Sequence, residues 1–142
     1  MYTKILVALE NGPADESLLP HVRELATVHG AELLLVHVAD GWAARCYEQL
    51  KLAESEEIKA DRAYLETAAG NLRAAGLRVT IHLAMGDPPQ EILKSAESAH
   101  CDLIAMTTHG HRFFGDLIFG STIHEVRHST FIPVLLVRAA KV

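Results

Sequence analysis

Short apolar runs rich in β-branched residues alternate along this chain with segments in which apolar residues recur every three or four positions. Continuous apolar runs are typical of strands buried on both faces, whereas the wider spacing is typical of amphipathic helices. The runs predict five strands, at residues 5–9, 33–38, 79–83, 101–107 and 132–137. The segments of helical period are residues 15–29, a long stretch that ends near residue 75, one that starts at residue 87, and a short one after residue 121.

This alternation predicts parallel strands joined by crossover helices. We expect an α/β fold in which helices cover both faces of a doubly wound, five-stranded parallel sheet. Ligands of such sheets bind outside the carboxyl ends of the strands, where the strand order reverses. The loops after Leu9, Val38 and Met106 are therefore the candidate ligand-binding loops.

The length of 142 residues predicts a single domain over residues 1–142. No apolar run approaches the roughly 20 residues that span a bilayer, and the opening MYTKILVAL does not fit a signal peptide, so we expect a cytoplasmic protein without a membrane partner. The net charge of −5 argues against a nucleic-acid partner. Cys46 and Cys101 lack metal-type spacing, and Cys101 is expected to act as a small core residue.

The segment CDLIAMTTHGHRFFGDLIFGST has the layout of a phosphate-binding loop. An apolar strand leads to Gly110, and Gly120-Ser121 directly precedes the amphipathic stretch 122–128. A helix N-terminus presents free backbone N–H groups to an anion, and Ser121 is predicted to cap this helix. An ordinary strand–loop–helix connection, in which the glycines only turn the chain, is the alternative that the spacing leaves open.

The same segment carries a pattern of the universal stress protein family, which the chain resembles over nearly its whole length. The nucleotide-binding members have G-x2-G-x9-G-S/T after the fourth strand, and the matching positions here are Thr107, Gly110, Gly120 and Ser121. Supporting matches are KILVAL, LLLVHVAD, MGDPPQEIL and PVLLV, in that order.

The resemblance implies a Rossmann-like fold of the adenine nucleotide alpha hydrolase-like type and a protein that binds ATP, with or without Mg²⁺, as a regulatory ligand in the stress response. It also implies which residues contact the nucleotide. These are Ala8 and Glu10 at base and ribose, Val38 at the adenine wall, Met106 and Thr107 at base and sugar, and Gly110, Gly120, Ser121 and Thr122 around the phosphates.

Three positions depart from the family pattern. Thr107 replaces the first motif glycine and adds a Cβ and a hydroxyl, Glu10 replaces an aspartate, and Ala8 replaces a proline. The adjacent Phe113 and Phe114 are bulky for this loop and are expected to anchor it or to plug it. A dimeric interaction module of the same fold that binds no nucleotide is the alternative function.

Catalytic chemistry has little support in the sequence. No lysine follows a glycine loop in the G-x4-G-K-S/T manner, no nucleophile elbow is present, and Asp116 and Glu125 are not committed to a metal. We therefore expect a binding protein with slow ATP hydrolysis at most and no catalytic residues. His124 and His128 have the i, i+4 spacing of some metal ligands, but an exposed helix face is the favoured interpretation, and no metal site is predicted.

The last predicted strand, from Ile132 to Val137, ends close to the last residue of the sequence and has Pro133 at its start, which fits the edge of a sheet. Pairing this strand with a second copy would satisfy its open backbone groups. The resemblance to universal stress proteins, which dimerise through this strand, implies a homodimer.

Overall fold

The computed structural model describes residues 1–39, 56–109 and 116–140, and of residues 116–120 it describes the backbone alone. Five strands and four helices form within these ranges. The strands are β1 (Lys4–Ala8), β2 (Glu32–Ala39), β3 (Val79–Met85), β4 (Leu103–Thr108) and β5 (Val134–Arg138). The helices are α1 (Asp15–His29), α2 (Glu56–Ala74), α3 (Pro88–Ser98) and α4 (Asp116–Ser129).

All five strands are parallel and lie in the order β3-β2-β1-β4-β5. The chain builds outward from β1 to β2 and β3, and then returns to place β4 on the other side of β1. The strand order therefore reverses between β1 and β4, and β5 lies at a sheet edge, as the sequence predicts. The predicted doubly wound α/β fold is confirmed.

The sheet is buried on both faces because two helices cover each one. On one face, Ile5 and Leu35 pack in a cluster with Leu18 of α1 and Leu65 of α2. On the other face, the cluster combines strand residues with helix residues: Leu6, Val36, Ile104 and Met106 with Ile92 of α3 and Val126 of α4. This burial explains why the strands read as continuous apolar runs.

One helix boundary differs from the sequence predictions, and one helix contains a proline. Pro20 lies in the second turn of α1, so the backbone carbonyl of Glu16 lacks its usual partner one turn later. The last helix, α4, begins at Asp116 and not after Ser121. By contrast, α1 has the predicted bounds, because Gly30 adopts the left-handed conformation (φ 65°) that ends the helix.

Cys101 packs in the core beside β4 as a free thiol, in agreement with its predicted role. Burial raises the pKa of this thiol to about 11, so it stays protonated at neutral pH. Within the described part of the chain, no helix is both long and apolar enough to cross a membrane.

Candidate functional site

A cavity of about 450 Å³ opens at the carboxyl end of the sheet. It lies over the tips of β1 and β2, where Ala8, Leu9 and Val38 form part of its wall. Met106 of β4 and Thr122 of α4 border it on the side where the strand order reverses. This is the position at which doubly wound sheets bind ligands.

Five of the nine predicted site residues line this cavity. They are Ala8, Glu10, Val38, Met106 and Thr122. Thr107 is buried beside it and reaches Glu10 through its hydroxyl. Gly110 lies outside the described residues, as do His111, Arg112, Phe113 and Phe114.

The structure places Gly120 and Ser121 inside α4, as its fifth and sixth residues. The prediction that Ser121 caps this helix is therefore wrong. Since only the first four amides of a helix lack an intrahelical partner, the amides from Gly120 to Thr122 lie within the hydrogen-bonded part of the helix. An anion at this end would meet the amides of residues 116–119 before those of the predicted glycine-serine pair.

Glu10 directly follows the tip of β1, and its carboxylate contacts other side chains at the cavity wall. His109 Nε2 lies 2.7 Å and 2.8 Å from its two carboxylate oxygens, and the Thr107 hydroxyl donates to Oε1 at 3.1 Å. A carboxylate only accepts, so the proton of the imidazole is on Nε2. The extra methylene of glutamate, compared with the aspartate of the family pattern, carries the carboxylate across to β4.

The loop after β1 is held in place by the carboxylate of Asp15, the first residue of α1. Asp15 is 1% exposed and accepts hydrogen bonds from the backbone N–H groups of Glu10 (3.0 Å) and Asn11 (2.9 Å). The Tyr64 hydroxyl of α2 donates to the same carboxylate at 2.5 Å. Burial, followed by the hydrogen bond to Asp15 and the charge of Asp15, raises the pKa of Tyr64 well above its ordinary value. The tyrosine therefore remains a donor.

A second polar cluster forms the wall of the cavity on the α2 side. Asn11, in the left-handed conformation at φ 60°, donates from Nδ2 to Asp61 Oδ1 at 2.6 Å. His37 Nδ1 lies 2.8 Å from the carbonyl oxygen of Leu9, and its Nε2 lies 3.5 Å from Asp61 Oδ2. Because the carbonyl only accepts, His37 donates from Nδ1.

The position of Asp61 differs from what the charged residues around it in the sequence suggest. Such a run favours a solvated helix surface, but Asp61 is 7% exposed and borders the cavity. A signal was present, because Asp61 falls on the same helical stripe as Ile58 and Leu65, three residues after one and four before the other.

The two histidines with metal-ligand spacing lie on the outer side of α4. The ring centroids of His124 and His128 are 4.3 Å apart, and both side chains are exposed. Among the residues that the structure describes, no group of three or more histidine, cysteine, aspartate or glutamate side chains could hold a metal ion.

Comparison with known proteins identifies the fold that carries this cavity. The model of the universal stress protein family matches residues 1–138. The chain belongs to the universal stress protein family. A relative from Thermus aquaticus, a universal stress protein encoded 3′ of a QAH/OAS sulfhydrylase, is 31% identical, with 97% of this chain and 100% of that protein covered.

Solved structures of family members have the same architecture. The structure of MJ0577, a universal stress protein of Methanocaldococcus jannaschii, is 28% identical and superposes with a TM-score of 0.79, covering 100% of this chain and 99% of that one. A universal stress protein from Archaeoglobus fulgidus in complex with dAMP has a TM-score of 0.70 at 22% identity, covering 96% of this chain and 98% of that one. A further universal stress protein structure, in complex with cAMP, has a TM-score of 0.71 at 18% identity, covering 98% of each chain.

Proposed function

We propose that this universal stress protein binds an adenine nucleotide, ATP with or without Mg²⁺, as a regulatory ligand in the cavity over β1 and β2. The observation that carries the proposal is the cavity itself, because five residues chosen from the sequence line one hollow at the reversal of strand order. The protein then acts in the cytoplasm as a homodimer whose partner surface depends on nucleotide occupancy.

The cavity wall has the chemistry that a nucleoside needs. Ala8, Val38, Ile92 and Met106 offer apolar surface for the faces of a base. The carboxylate of Glu10 can accept from a ribose hydroxyl, if it exchanges one of its present partners. Mg²⁺ is usually bound through phosphates and one or two carboxylates, so in this site it would be held largely by the nucleotide. Adenine nucleotides in two proteins of the same fold give the proposal independent support.

The homodimer is proposed to form through β5, which among the described strands pairs with β4 alone. Leu136 on this strand is 36% exposed, and Phe131 just before it is fully exposed. Pairing β5 with its copy would cover apolar side chains and satisfy backbone groups in one two-fold interface.

A second candidate function, a dimeric interaction module without a nucleotide, is favoured by the engagement of Glu10. Both of its carboxylate oxygens already have partners within the protein, His109 and Thr107. In this alternative the three side chains fill the place of the ribose and stabilise the contact between β1 and β4.

Isothermal titration calorimetry with ATP and Mg²⁺ separates the two functions when it is applied to a matched pair of variants. Ala60 is exposed and borders the cavity, so Ala60→Trp places an indole in the nucleotide site. Lys59→Trp, one residue earlier on the exposed surface of α2, introduces the same indole outside the cavity wall.

We expect ATP to bind the wild-type protein and Lys59→Trp with similar affinity, and to bind Ala60→Trp at least tenfold more weakly, or about 1.4 kcal/mol less favourably. Adenine nucleotide that co-purifies from cells, detected by absorbance and mass, would give a second line of support. If the wild-type protein shows neither heat with ATP nor a thermal shift, the interaction module becomes the better account.

A further inference from the structure

The two sides of the cavity differ in charge. On the α2 side, Glu57 and Asp61 contribute two carboxylates to the wall. Among the described residues, the opposite side of the wall is formed by Met106 and the hydroxyl-bearing Thr122, and the Glu10 carboxylate there is paired with His109 at the tip of β4. Like charges repel most strongly where water is partly excluded, so the phosphates of a bound nucleotide are directed away from α2. Its base then faces α2.

Asp61 is the polar group that such a base would meet. It is 7% exposed, Asn11 orients it by donating to Oδ1, and His37 Nε2 lies 3.5 Å from Oδ2. Both neighbours are themselves anchored, because the backbone N–H of Asn11 donates to Asp15 and His37 donates to the carbonyl of Leu9. The carboxylate is therefore held rigidly at the cavity wall before any ligand enters.

This carboxylate can accept from a further donor, but it offers nothing to an acceptor. A carboxylate offers about four lone-pair positions, and an ionised one donates no hydrogen bond. A ligand group that faces it must donate, as the exocyclic amino group on C6 of adenine does. A carbonyl oxygen at C6, as in hypoxanthine or guanine, would bring two acceptors together and leave both unsatisfied in a largely buried position.

We propose that Asp61 is the residue that selects a 6-amino purine over a 6-oxo purine at this site. The inference rests on the proposed nucleotide binding and specifies which base the site accepts. A site that uses such a hydrogen bond discriminates strongly against a ligand that cannot form it, because the buried polar group of the protein is then left unpaired.

The test compares ATP with ITP, its 6-oxo counterpart, by calorimetry on the full chain. The wild-type protein is expected to bind ATP at least tenfold more tightly than ITP. Asp61→Asn keeps the size of the side chain but adds an amide donor that can serve a 6-oxo group. This variant is expected to bring the two affinities within about threefold of each other.

Two control variants separate hydrogen bonding from other effects. Glu57→Gln removes the second carboxylate of the same wall and should change the affinities for ATP and ITP by equal factors, since both ligands carry the same phosphates. Asn11→Ala removes one support of Asp61 but leaves its carboxylate, so the preference for ATP should persist. Thermal unfolding of each variant reports whether it is folded.

The outcomes distinguish a failure of the proposed nucleotide binding from a failure of the role of Asp61. If neither nucleotide binds the wild-type protein, the proposed function fails and this inference fails with it. If ATP binds but the wild-type protein accepts ITP equally well, or Asp61→Asn retains the full preference for ATP, nucleotide binding stands and the role of Asp61 is wrong. A wild-type protein that accepts ITP as well as ATP overturns the role of Asp61 even if Asp61→Asn does not fold.

Discussion

His109 and Glu10 are 99 residues apart in the chain, yet Nε2 of the one lies 2.7 Å and 2.8 Å from the two carboxylate oxygens of the other. The contact joins the tips of β1 and β4, at the reversal of strand order where a ligand is expected. A ligand that uses Oε1 of Glu10 must therefore compete with a side chain of the protein itself. Thr107, which donates to the same carboxylate, adds to that competition.

Replacement of Thr107 tests this competition. Thr107→Gly restores the residue of the family pattern and frees Oε1 of Glu10, so ATP should bind roughly three- to tenfold more tightly. The same change should lower the free energy of unfolding by about 1 kcal/mol, because glycine weakens a strand interior. Thr107→Ser keeps the hydroxyl and should leave the affinity near the wild-type value. Calorimetry that finds no gain for Thr107→Gly would show that the hydroxyl does not limit binding.

Tyr64→Phe tests how strongly α2 holds the loop after β1. The substitution removes one of three donors to the buried carboxylate of Asp15, so urea unfolding should show a loss of about 1–3 kcal/mol. The raised pKa of Tyr64 implies that this stabilisation is complete below about pH 10 and is lost as the pH rises towards the folded-state pKa. A variant as stable as the wild-type protein at pH 7 would contradict the anchoring role.

Asp102 gives the fold a predictable response to acid. Partial burial acts to raise the pKa of this carboxyl, but hydrogen bonds from the Thr3 amide, the Lys4 amide and the Thr3 hydroxyl outweigh it and place the pKa below its ordinary value. A lowered folded-state pKa stabilises the protein above the unfolded pKa of about 4, and this stabilisation is lost as the pH falls further.

Asp102→Asn should therefore cost about 1 kcal/mol at pH 7, a modest figure because the group is partly solvated, and progressively less below pH 4. Asp87→Asn is the control, since the Asp87 side chain makes no capping hydrogen bond at α3. Unfolding curves recorded from pH 7 to pH 3 measure the difference. A penalty for Asp102→Asn that stays constant over this range would refute the electrostatic explanation.

The β5 edge gives a direct test of the proposed homodimer. Leu136→Asp places a charge on the open edge strand and should convert a dimer to a monomer in sedimentation at micromolar concentration. Val28→Asp, on α1, changes an even more exposed apolar residue (80%) that is not part of β5 and should leave the dimer intact. A wild-type protein that sediments as a monomer would contradict the proposal.

Elements whose ends are marked by local chemistry could be predicted from the sequence. The helix α1 ends at a glycine with a left-handed backbone, and α3 starts at Pro88, so both boundaries are visible in single residues. The predicted start of α4 is wrong because Gly120 resembles a boundary in the sequence but lies inside the helix. A glycine costs only about 1 kcal/mol inside a helix, and the helix continues through it.

The position of the candidate site could be predicted, but not the contacts within it. Periodicity placed Glu10 after β1 and Thr107 at the end of β4, whereas their contact depends on β4 lying beside β1. The sheet order brings together residues that sequence spacing cannot relate. The inward position of Asp61 could have been recognised, because its place on the apolar stripe of α2 is a matter of counting.

The most direct test of nucleotide binding in this cavity is an amide chemical-shift titration of isotope-labelled protein with ATP and Mg²⁺. The largest shifts are expected at the tips of the central strands, among them Leu9, Glu10, Val38 and Met106. The amides of Leu93 and Lys94, which line a shallow groove on α3, should move little. Shifts centred on that groove, or none at millimolar ATP, would contradict the account.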